Sequence, residues 1–181
     1  MPIAKANSWR PMVVWITGFT CIVVFAVLLF NPCRSIVWHC RNGSQIHFAN
    51  AEITLPIFWW KQNGLDEGAI SIRRAGFGRT DDSSLRIFPL AHEKTKADNK
   101  AASDWQQGML GSVSPKERKT FLPVEIRAQN ASIYCVKDIR TSKNNFLICR
   151  VPGISWGFWF NGPVGDERQA ESVLSTFRIS K

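Results

Sequence analysis

Hydrophobic and polar positions along the chain fall into three successive patterns, and each predicts a different kind of element. From Met12 to Phe30, "MVVWITGFTCIVVFAVLLF", nineteen consecutive residues carry no charge. At about 1.5 Å per residue this run makes roughly 28 Å of helix, close to a hydrocarbon core of about 30 Å. Trp9 and Trp15 stand at and just inside one end, where indole favours the lipid–water boundary. Asn31-Pro32 is expected to stop the helix at the other end, because proline removes a backbone donor. The run is long for the apolar stretch of a signal peptide. It ends in Leu-Leu-Phe-Asn-Pro rather than at a small-residue cleavage site, so it reads as an uncleaved signal anchor.

The middle of the chain switches to short alternating segments. "SIVWHCRNGSQIHFA" predicts a hairpin turning at Asn42-Gly43, and "AEITLPIFWW" a further extended segment. "AISIRR" and "SLRIFPLA" read as short strands, and "ADNKAASDWQQGM" has helical character. "TFLPVEIRA", "SIYCVKDIR", "NFLICRV" and "SWGFWF" predict four strands in succession. The last change of period is to helix. Ala170, Val173, Leu174 and Phe177 fall on one face, and Asp166 with Gln169 has capping-box spacing. An apolar helical stripe after a run of antiparallel strands closes over one face of the sheet, so the class is α+β. The organisation expected is a cytoplasmic tail (1–11), a transmembrane helix (12–30) and an extracytoplasmic domain (34–181).

Charge bears on placement and partners. The chain carries +9, and all but two of those charges lie in 34–181. Lys5 and Arg10 precede the apolar run while Arg34 and Arg41 follow it, a weak bias towards a cytoplasmic amino terminus. Four of the five cysteines follow the run, as in a domain exposed to an oxidising compartment. Single-pass insertion in the cytoplasmic (inner) membrane is therefore expected, with the C-terminal domain outside. Positive charge beside a bilayer points to a protein partner or an anionic envelope component, and the anchor argues against nucleic acid.

Few residues carry candidate chemistry. "GISWG" matches the G-x-S-x-G pattern around Ser155, but a nucleophile elbow needs a helix after the serine, and "WGFWFNG" is strand-like. On the expected hairpin, Trp38, Cys40 and His47 share a face while His39 points away. Two potential ligands fall short of a zinc site, and His92 would join only by folding. No metal and no cofactor is expected. Asp66-Glu67 and Asp81-Asp82 read as acidic loop faces. Cys135 and Cys149 are symmetric about Ser142. With an odd loop and no bulge they stand opposite each other across a hairpin, either as a disulfide or as two buried thiols. Cys33 with Cys40 is a second, weaker pairing.

Neighbours in an extended chain point to opposite faces, so Trp59 and Trp60 cannot form one platform, and Trp156 and Trp159 are likewise split. Core packing is the plain reading for most of them. Trp60, Arg73 and Arg74 are the candidate binding residues.

The closing "FWFNG", the acidic start, the amphipathic helix and "VLSTFRIS" resemble the ending of the PsbP/Mog1-like small α/β proteins. Phe160, Gly162, Glu171, Leu174, Phe177 and Arg178 fit that phrase, with Thr176 where serine is usual. "HFANAEITLPIFWW" is similar to the entry strand of uncharacterised membrane-anchored bacterial proteins of this size. The resemblance implies accessory subunits that bind partners without catalysis, and it carries over no functional residue. The reading is a membrane-tethered, non-catalytic binding or accessory module of the cell envelope. The alternatives are an envelope hydrolase using Ser155 or a cysteine, or a thiol/disulfide assembly factor.

Overall fold

Seven strands pair antiparallel in a single sheet whose outer edges are far apart in sequence, and a long N-terminal helix meets one of those edges. The computed structural model describes residues 9–62, 68–76, 83–90, 99–139 and 144–180. Asp66-Glu67, Asp81-Asp82, His92 and Ser142 lie outside them. The large sheet contains β3 (Trp59–Gln62), β4 (Ile70–Arg74), β5 (Ser84–Pro89), β6 (Phe121–Arg127), β7 (Ser132–Asp138), β8 (Asn144–Arg150) and β9 (Trp156–Pro163). Its spatial order is β3-β4-β5-β9-β8-β7-β6. A small sheet joins β1 (Gln45–Phe48), β2 (Ala51–Thr54) and the terminal β10 (Arg178–Ile179). The helices are α1 (Trp9–Asn42), α2 (Asn99–Ser112) and α3 (Glu167–Ser175), with a short 3-10 turn before β6. The α+β class and the antiparallel sheet follow the sequence reading.

The N-terminal helix α1, 34 residues long, corrects that reading at its far end. The helix does not stop at Asn31-Pro32 but continues to Asn42, and residues 34–41 are helical rather than a strand. Proline costs one hydrogen bond, yet tertiary contacts hold the turns beyond it. Pro32 and Ser35 are buried, and the Ser35 hydroxyl donates to the Ile57 carbonyl. Gly43 does take a positive φ of 73°, but as the left-handed residue ending a helix, its N–H bonded to the His39 carbonyl at 2.9 Å. The hairpin lies one element later, between Phe48 and Ala51. "AEITLPIFWW" is also two strands, β2 and β3, in different sheets, separated at Pro56.

Among the described residues no helix is long and apolar enough to cross a membrane. The uncharged run of residues 12–30 lies within α1. Val14, Trp15, Phe19, Ile22, Phe25 and Phe30 are exposed along it.

The core lies on one face of the large sheet. Ile72, Leu85, Phe158, Phe160, Leu147 and Ile133 meet Ala170, Val173 and Leu174 of α3, with Phe177 just beyond it, so the predicted apolar stripe is the buried one. The β1–β2 hairpin closes the same face. Phe48 packs edge-on against Trp156 and Phe158, with ring centroids 5.7 and 6.2 Å away. On the other face α2 packs against β6 and β7, where the buried Gln106 amide donates to the carbonyls of Val124 and Cys135 at 3.1 and 2.6 Å.

The Asp166 carboxylate does not cap α3. It accepts instead from Arg74 and from the Ser83 hydroxyl, each at 2.6 Å, and so ties the start of the helix to β4.

Candidate binding face

Strand register places arginine beside tryptophan on the face of the sheet away from α3. One cross-strand row runs Trp60, Arg73, Ser84, Asn161 and Phe146. The next runs Gln62, Ser71, Arg86, Trp159 and Ile148. Arg86 holds its guanidinium 5.9 Å from the Trp159 ring centroid, and Trp159 is 43 % exposed. Ser84, Arg86, Trp159 and Asn161 line a shallow depression there. Farther along the same face Arg150 lies 4.8 Å from the ring centroid of Trp105, which α2 contributes. Both arrangements are cation–π contacts, each typically about 0.5–1 kcal/mol at an exposed site.

The three candidates taken from sequence separate. Trp60 and Arg73 are register partners on this face, and Arg73 donates to the Gln62 amide oxygen at 2.6 Å. Trp60 is 4 % exposed, so it underlies the surface more than it forms it. Arg74 points to the opposite face and is paired with Asp166. Trp59, its register partner, is in the core, so the two adjacent tryptophans split as alternation requires. Arg86, Trp159, Arg150 and Trp105 were missed. Alternation alone assigns each to a face, but only the pairing of β5 with β9 brings Arg86 to Trp159.

The other candidates are dispersed. Ser155 is exposed in the bend before β9, and its carbonyl accepts from the Leu90 N–H at 2.8 Å. A strand follows it, not the helix that a nucleophile elbow needs. The expected grouping of Trp38, Cys40 and His47 on a hairpin face does not form, because Cys40 is on α1 and His47 on β1 beside Glu52 at 3.4 Å. The Nε2–H of His39 is directed at the carbonyls of Pro56 and Trp59, 3.0 and 2.8 Å away. No group of three or more His, Cys, Asp or Glu among the described residues is placed to hold a metal ion.

Cys135 and Cys149 are register partners, 4.0 Å apart at Cα, and joined by a disulfide with both residues buried. A thiolate must reach one sulfur to exchange with such a bond, and burial denies that access. Cys33 and Cys40 are unbridged and exposed. Seven residues of helix separate them by about 10 Å, beyond the span of a disulfide.

Glu167, at the start of α3, is the one described group whose acidity departs clearly from the ordinary. Burial acts to raise its pKa. Backbone N–H groups of Glu167 and Gly165, the Lys137 ammonium and the Asn145 side chain outweigh that, and the carboxyl is held below its usual value.

No family model matches the sequence, and no curated protein matches it. A crystal structure from Bacteroides thetaiotaomicron VPI-5482, solved at 1.50 Å resolution, is similar over 73 % of this chain, with 16 % identity and a TM-score of 0.47. The chain spans under half of that structure, 46 % of its length.

Proposed function

We propose that the protein is a membrane-tethered, non-catalytic binding or accessory module of the cell envelope. Residues 12–30 would anchor it in the cytoplasmic membrane, and residues 34–181 would stand outside the cytoplasm. The observation that carries the binding reading is the pairing of arginine with tryptophan on the sheet face away from α3, above all Arg86 with the exposed Trp159. A ligand for such a face is anionic and partly planar or apolar: an acidic protein surface, or an envelope polymer with carboxylate or phosphate groups. The net charge of +7 on residues 34–181 would draw that ligand in. Support for the anchor is the uncharged sequence of residues 12–30 together with the outward-facing apolar side chains of α1.

The test uses the full-length protein in detergent as bait for a membrane extract. Trp159→Ala and Arg86→Ala should release a partner that Ser155→Ala retains. Equal retention by all three would reject the face. A hydrolase working through Ser155 or a cysteine would instead lose an envelope-directed activity on Ser155→Ala or on alkylation of Cys21, Cys33 and Cys40. A thiol/disulfide factor would exchange Cys135–Cys149 with a small thiol without unfolding.

A further inference from the structure

The loop between β2 and β3 presents apolar side chains at its tip and leaves none of the carbonyls of residues 56–58 without a protein donor. Its two tip side chains, Ile57 and Phe58, are 52 % and 40 % exposed. On the same turn of α1, Ile36 and Val37 are exposed as well. Three consecutive carbonyls of the loop nevertheless have protein donors. Pro56 accepts from the Trp59 N–H at 2.8 Å and from His39, Ile57 accepts from the Ser35 hydroxyl, and Phe58 accepts from the Ala75 N–H at 2.7 Å. Pro56 itself has no N–H to satisfy. Water would serve these carbonyls equally well, whereas hydrocarbon would serve none of them, at several kcal/mol for each group left bare.

Depth along α1 places the loop in the headgroup layer. Ser35 and His39 lie one helical turn apart and hold the loop against that turn. Ser35 is five residues beyond Phe30, where the uncharged run ends, so the loop stands about 7.5 Å past that end. The polar interface on each side of a bilayer is about 5–8 Å thick. Arg34, exposed in the same turn, has the length to reach phosphate headgroups while its stem stays in the apolar layer.

We propose that Ile57 and Phe58, with Ile36 and Val37, form a second membrane contact that seats in the headgroup layer of the bilayer. This rests on the anchor reading of residues 12–30. The loop would then set the tilt of the domain, because it joins α1 to β3, one edge of the large sheet. The far edge, β6, lies six strand spacings away, about 29 Å. A tether alone would let the domain turn freely; a tether with a seated loop presents one fixed aspect to a partner.

Nitroxide labels on the full-length chain in phosphatidylglycerol-containing vesicles test this. Cys21, Cys33 and Cys40 are replaced by serine, and single cysteines are introduced in turn as Val23→Cys, Ile57→Cys, Phe58→Cys and Leu122→Cys. Near-ultraviolet circular dichroism checks that each variant is folded. Saturation is measured with oxygen, which concentrates in lipid, and with a water-soluble nickel chelate. The label at 23 should relax more with oxygen, the label at 122, on an exposed position of β6, more with nickel, and those at 57 and 58 should show an oxygen-to-nickel ratio between the two. If 23 follows oxygen while 57 and 58 match 122, the anchor stands and the seated loop is rejected. Shielding of 57 and 58 from both reagents, as by a protein partner, rejects it too. If 23 follows nickel, the anchor reading fails and the loop proposal falls with it.

Discussion

His39 on α1 points its Nε2–H at the Trp59 carbonyl, 2.8 Å away on the first residue of the edge strand β3. That contact, reinforced by Ser35 and Ile57, makes one continuous element of the N-terminal helix and the large sheet. Orientation is thereby a property of the fold, not of a linker.

Removing the joint should therefore cost stability. Ser35→Ala or His39→Ala strips donors from carbonyls of the 56–59 loop, at about 1–3 kcal/mol for each group left unpaired and enclosed. The thermal midpoint of the full chain should fall by several degrees. Limited proteolysis should then find new cleavage near Ile57. An unchanged midpoint for both variants would show that the joint does not hold the helix.

Cys135 and Cys149 should survive as a pair under non-reducing digestion, with alkylation confined to Cys21, Cys33 and Cys40. Replacing both paired cysteines with alanine should destabilise the chain by about 2–4 kcal/mol, as expected for closing a short loop in the unfolded state. Quantitative alkylation of all five thiols before denaturation would contradict the bridge.

Arg73 and Arg74 are adjacent in sequence and should behave oppositely. Arg74→Ala breaks a half-buried ion pair and leaves Asp166 short of a charged donor, which should cost about 1–3 kcal/mol in urea unfolding while partner binding persists. Arg73→Ala, like Trp159→Ala, should change stability by no more than about 0.5 kcal/mol and should weaken binding. If the two arginines lose stability alike, the division between faces is wrong.

Glu167 dictates a direction for pH. Its folded pKa lies below the ordinary value of 4.5. Its share of stability is thus fully present above that value and is lost as pH falls through the lower folded pKa. Unfolding midpoints measured downwards from pH 6 should decline, and Glu167→Gln should flatten the decline. Lys137, 3.7 Å from Glu167 and 2.9 Å from Glu171, should give the same flattening in weaker form as Lys137→Met. A variant with an unaltered acid limb would remove Glu167 from the account.

Much of the domain was legible one element at a time. Alternation marked β4, β5 and the four strands β6 to β9, and the i, i+3, i+4, i+7 stripe marked the buried side of α3. The same parity separated Trp59 from Trp60 and opposed Cys135 to Cys149. These features depend on residues within one or two elements, and backbone geometry imposes their periods directly.

Tertiary structure decided the rest. Asn31-Pro32 and Asn42-Gly43 are breaking signals whose outcome depends on whether distant groups compensate. Ser35 and His39 find carbonyls on the 56–59 loop, and the helix continues past the proline. Asp166 had the spacing of a cap, but Arg74, 92 residues earlier, holds its carboxylate. Arg86 meets Trp159 only because β5 lies beside β9. Local periodicity assigns each side chain a face, while the identity of its neighbour is settled by which non-local surfaces bury the most apolar area together.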